Sequence, residues 1–138
     1  MTWIHSRSIA GVVLIATFGC GGAPLPEVPE GSAVSYAAHV EPLVLTRCVD
    51  CHTTEEPKAN LVLEPGTGYD QMVDRASTQV PAMRIVVPGD LERSYLWLKL
   101  DQRATVGDGM PRTFLGGKRL PPKELERFRR WIEDGALP

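Results

Sequence analysis

Large rings are scarce in this chain: Phe, Trp and Tyr make up 7% of 138 residues. A domain this small buries a modest fraction of its surface, so a large bound apolar cofactor would help to organise it. Charge of one sign is not in excess. The formal net charge is −2, and nothing points to nucleic acid as a partner. No internal repeat is present. No apolar run reaches the roughly twenty residues that cross a bilayer comfortably. Cysteines number only three, an odd count for an exported protein. Gly and Pro are plentiful instead, at 13 and 12 residues. That abundance implies short elements, much loop and, at this length, one domain.

Residues 1–19 are expected to be a signal peptide. "MTWIHSRS" carries Arg7 and no acid, and "IAGVVLIATFG" is an apolar run of about eleven residues. Cys20 follows in "TFGCGG". This resembles the bacterial lipoprotein signal, although Phe18 stands where a small residue is usual. Cleavage would leave Cys20 as a lipidated N-terminus, with plain secretion and a retained anchor as the alternatives. Each places the domain outside the cytoplasm. Loss of Arg7 leaves a mature net charge of about −3. Residues 20–34, rich in Gly, Pro and acid, are expected to form a flexible linker. The domain is expected over residues 35–138.

Within it, Val40, Leu43, Val44 and Cys48 recur at helical intervals, with Pro42 suited to the first turn. "YDQMVDRA" suits about two helical turns. Asp90 is placed to cap a helix through "LERSYLWLKLDQR". "ATVGDGMPRTFLGGKR" has the composition of a loop. "LPPKELERFRRWIEDGALP" is the clearest helix. Pro121 and Pro122 open it, Leu125, Phe128, Trp131 and Ile132 share a face, and Gly135 suits the left-handed position after its end. The pattern predicts an all-α fold of three to four short helices with long loops.

The chemistry centres on "CVDCH". On a helical turn Cys48 and Cys51 present two thiols side by side, and His52 brings an imidazole over the same region. This spacing attaches c-type haem: the thiols add to two vinyl groups and the imidazole binds iron. Chance alone would produce the motif on the order of 0.001 times in a chain of this composition. A Cys48–Cys51 redox disulfide and a zinc site are the alternatives. The first wants a helix starting at the first cysteine, and the second wants further ligands.

A haem iron with one imidazole takes a second axial ligand, and a Met thioether makes a low-spin electron carrier. Met110 in "VGDGMPRTF" is the preferred candidate. Glycines precede it and Pro111 follows, so its backbone can approach a flat ring. Met72 suits core filling and Met83 lies beside an apolar run that suggests packing. His39 lies on the helix leading into the motif, from which the opposite face is hard to reach.

Residues 36–137 resemble the small class I-like cytochrome c domains of planctomycetes and myxobacteria. "VEPLVLTRCVDCH" is similar to their opening helix and haem motif. "KANLVLEP" is similar to their Lys-x-x-Leu-x-Leu stretch, with Asn60 where glycine is usual. "IVVPGDLERSYLWLKL", "GMP" and the Trp-Ile-x-x-Gly-Ala ending also match. The resemblance implies a cytochrome c-like fold around one covalent haem c. Cys48 and Cys51 would carry the thioethers, His52 would be proximal and Met110 distal. Trp97 and Trp131 are expected in the core. Arg127, Arg129 and Arg130 suit a solvated helix face, with partner docking or propionate binding as alternatives.

The expected protein is an exported, lipid-tethered mono-haem c-type cytochrome. It would pass single electrons between redox protein donors and acceptors and would be a carrier rather than a catalyst. A haem enzyme of peroxidase type, or a haem-based sensor, is the alternative if the distal position is open.

Overall fold

The computed structural model describes residues 25–138; the expected signal segment and Cys20 lie outside them. A π-helical turn, Tyr36–Val40, runs directly into helix α1, Glu41–Arg47. Pro42 occupies the first turn of α1, where its missing N–H leaves no bond unmade. Short 3-10 turns follow at Val49–Cys51 and Lys58–Asn60. Helix α2 spans Gly68–Met72 and α3 spans Tyr95–Leu100. Strands β1, Arg112–Thr113, and β2, Gly116–Gly117, pair antiparallel. Helix α4, Pro122–Glu133, is the longest element.

The core lies between α4 and the first helical segment. Phe128, Trp131 and Ile132 from α4 are buried with Tyr36, Val40, Leu43 and Val44. Tyr36 is the centre of an aromatic group, its ring 5.5 Å from Trp131 and 5.6 Å edge-on from Tyr69. The first helical segment and the C-terminal residues meet there too, since the Tyr36 N–H donates to the Leu137 carbonyl at 2.8 Å. Arg47 closes the far end, holding Glu124 of α4 with bonds of 2.9 and 2.6 Å. Trp97 and Trp131 are both buried, as expected of core residues.

Two expectations are corrected. The fold is mixed and not all-α: four α-helices are accompanied by the β1–β2 sheet. The sheet lies inside the stretch expected to be loop. There the Thr113 hydroxyl donates to the Gly116 carbonyl at 2.9 Å and accepts the Leu115 N–H at 3.3 Å, closing a two-residue turn. Helix α3 also begins four residues later than the expected start at Leu91. The Tyr95 and Leu96 N–H groups donate to the carbonyls of Arg84 and Ile85. Upstream, the fully buried Ser94 hydroxyl bonds to Val87 and Asp90, folding residues 87–94 into a turn. Asp90 therefore accepts the Arg93 N–H at 3.0 Å instead of capping a helix.

Among the described residues no helix is long and apolar enough to cross a membrane.

Candidate functional site

Helix α1 delivers the first cysteine. Cys48 closes that helix, its N–H donating to the Val44 carbonyl at 2.9 Å. The following 3-10 turn winds the chain back, with Cys51 N–H on the Cys48 carbonyl (3.1 Å) and His52 N–H on the Val49 carbonyl (2.9 Å). Both cysteines are free thiols. Cys51 is exposed and Cys48 is half-buried. Burial, and then the neighbouring Cys51, push the Cys48 thiol up to about 12.

His52 is buried and its Nδ1 lies 3.1 Å from the carbonyl of Leu61. A carbonyl can only accept, so Nδ1 carries the proton and Nε2 keeps its lone pair in the neutral ring. Burial lowers the imidazole pKa and outweighs its backbone hydrogen bonds, which favours that neutral form.

Cys48, Cys51, His52 and Met110 all line one cavity of about 340 Å³. Its apolar wall is built from Leu61, Leu63, Ile85, Leu96 and Leu100. Arg47, Lys58, Lys99 and Arg112 add positive charge to the lining, and Asp108 adds a carboxylate. Met110 enters from the opposite part of the chain. Its N–H donates to the Lys99 carbonyl and its carbonyl accepts from the Gln102 side-chain amide, each at 2.9 Å. The Met110–Pro111 peptide is cis. Gln102 reaches this loop through a gap that two glycines leave. A Cβ on Gly109 or Gly117 would lie 2.0 or 2.1 Å from its Oε1.

The other candidate ligands do not reach this cavity. Met72 is buried in the core. Met83 is half-buried and outside the cavity lining. His39 accepts the Ser35 N–H on its Nδ1 at 3.1 Å and is also absent from the lining. The arginines of α4 are elsewhere as well. Arg129 pairs with Glu126 and Glu133, and Arg130 donates to the Ser32 carbonyl.

Among the described residues no three His, Cys, Asp or Glu side chains gather to hold a metal ion, as a zinc site of those donors would need. Redox-active thiols sit where their pKa is depressed, commonly at a helix N-terminus. Cys48 ends α1 and also caps the start of the following 3-10 turn, and burial raises its thiol pKa.

Three contributors were not evident from sequence: Leu61 as acceptor for His52, and Lys99 and Gln102 as supports for the Met110 loop. Tyr95, Lys99 and Gln102 are spaced i, i+4, i+7, a one-face pattern that could have singled them out. Comparison with protein-family models, curated proteins and solved structures finds no match.

Proposed function

We propose that this chain is a mono-haem c-type electron carrier. The observation that carries the reading is the convergence of two free thiols, a neutral imidazole and a thioether on one largely apolar cavity. That donor set fits haem c. The Cys48 and Cys51 S–H bonds would add across the two vinyl groups and leave thioethers. His52 would offer Nε2 to iron, oriented by Leu61, and Met110 would offer its sulfur as distal ligand. Haem held in this way supplies a one-electron iron couple. The apolar wall would exclude water and favour the less charged state. If His52 and Met110 both held the iron, the chain would leave no coordination site for a substrate. Redox proteins would then be donor and acceptor. Export and a lipid tether on Cys20 complete the proposal, resting on the sequence of residues 1–20.

The test is the visible spectrum of the full chain produced with a c-type haem maturation system, for wild type and Met110→Ala. A low-spin spectrum with the weak far-red sulfur-to-iron band, lost in the variant, is the expected result. A high-spin wild type that binds small exogenous ligands would favour a haem enzyme or sensor. Absence of covalent haem would remove the reading altogether.

A further inference from the structure

Lys99 is an unusual residue for its place. It lies on α3, is 4% exposed, and forms no ion pair among the described residues. The nearest loop acid, Asp108, gives its carboxylate to Arg112 at 2.8 Å. A buried ammonium without a carboxylate costs stability unless other acceptors satisfy it. Here they are main-chain carbonyls: Nζ donates to Val106 at 2.7 Å and to Asp108 at 2.9 Å. The Tyr95 hydroxyl donates to the same Val106 carbonyl at 2.6 Å, and the ammonium lies 5.1 Å from the Tyr95 ring centroid. The loop wraps so closely that a Cβ on Gly107, which has a φ of +63°, would sit 2.9 Å from Nζ. On its other side, the Lys99 carbonyl accepts the Met110 N–H.

We infer that Lys99 is a positioning residue for Met110, a buried cationic clamp that holds the 106–110 loop so that the thioether stays at the cavity. This rests on the haem reading above and deepens it. The side chain grips the loop two and four residues before Met110, and the main chain of the same residue grips Met110 itself. Without the clamp the loop keeps its Tyr95 and Gln102 bonds but loses its charge-assisted ones. Met110 would then leave the iron more often, and an external ligand could take its place.

The experiment uses haem-loaded full chain as wild type, Lys99→Met, Lys99→Arg and Tyr69→Phe. Lys99→Met keeps the apolar stem and removes the donors. Tyr69→Phe loosens the fold elsewhere: it removes the hydroxyl's 3.1 Å bond to the Ala136 carbonyl, and Tyr69 does not line the cavity. Imidazole affinity of the oxidised protein, the far-red band and the reduction potential are read on each. Lys99→Met should bind imidazole at least about tenfold more tightly, the factor expected for one lost charge-assisted hydrogen bond. Its far-red band should weaken and its potential should fall. Lys99→Arg, which keeps donors, should recover part of each change. Tyr69→Phe should match wild type in all three even if it melts earlier. Unchanged affinity, band and potential in Lys99→Met would overturn the clamp, as would equal changes in Tyr69→Phe. A wild type without the far-red band would overturn the haem reading, and the clamp with it.

Discussion

His52 donates its Nδ1 proton to the carbonyl of Leu61 across 3.1 Å, so one main-chain atom selects the imidazole tautomer. In the haem-free chain at pH 7.5, nitrogen-15 chemical shifts should show a protonated Nδ1 and an unprotonated Nε2. The pH dependence follows from the depressed pKa. On acidification the unfolded chain takes up this proton before the folded chain does. Stability therefore falls as pH drops below about 6.5, the ordinary histidine value. Urea midpoints at pH 7.5 and 5.5 should differ in that direction, and His52→Gln should reduce the difference.

Thiol reactivity in the haem-free chain should be unequal. Burial holds the Cys48 thiol near 12, while Cys51 is exposed. At pH 8, iodoacetamide should modify Cys51 at least about tenfold faster, since the thiolate is the nucleophile. Timed quenching and fragment mass spectrometry would locate the label.

Gly68 leaves room for Tyr36. A Cβ there would lie 2.1 Å from the Tyr36 hydroxyl, which is buried without a hydrogen-bond partner. The ring cannot retreat, being packed between Tyr69 and Trp131. Gly68→Ala should destabilise by about 1–3 kcal/mol, the usual range for overpacking. Adding Tyr36→Phe should recover much of the loss, because it removes the atom in collision. Denaturant melts of the two single variants and the double variant would measure that coupling.

The Arg47–Glu124 pair ties the end of α1 to the start of α4. Arg47 is 42% exposed and Glu124 is 11% exposed by side chain, so water screens the pair in part. Glu124→Gln should cost about 1 kcal/mol, near the upper end for a pair that is not buried. Thermal melts at low and high salt should show the difference shrinking as salt rises.

Some of this architecture was legible because local chemistry sets it. Helix α4 follows from its opening prolines and apolar face, and Gly135 adopts φ +97° just past its end. Cys48, Cys51 and His52 are brought together by one turn, so their spacing sufficed. Asn60 adopts φ +55°, a conformation that glycine takes freely and asparagine better than most other residues. The β1–β2 hairpin was not legible. Its strands are two residues each, too short for an alternating pattern, and Gly117 meets Gly109 only in the folded chain. The role of Lys99 was hidden for a related reason. A lysine beside Leu98 and Leu100 suggests a solvent-facing position until the 106–110 loop is folded over it.

The hairpin leaves Phe114 and Leu115 wholly in solvent, at 103% and 93% of reference exposure. Three residues of chain separate Phe114 from Met110, a span of at most about 14 Å when extended. A linker or gold contact grafted at that tip would therefore stand a short tunnelling distance from the cavity. If the cavity holds haem, the turn that escapes notice in the sequence would be the place to wire this protein to an electrode.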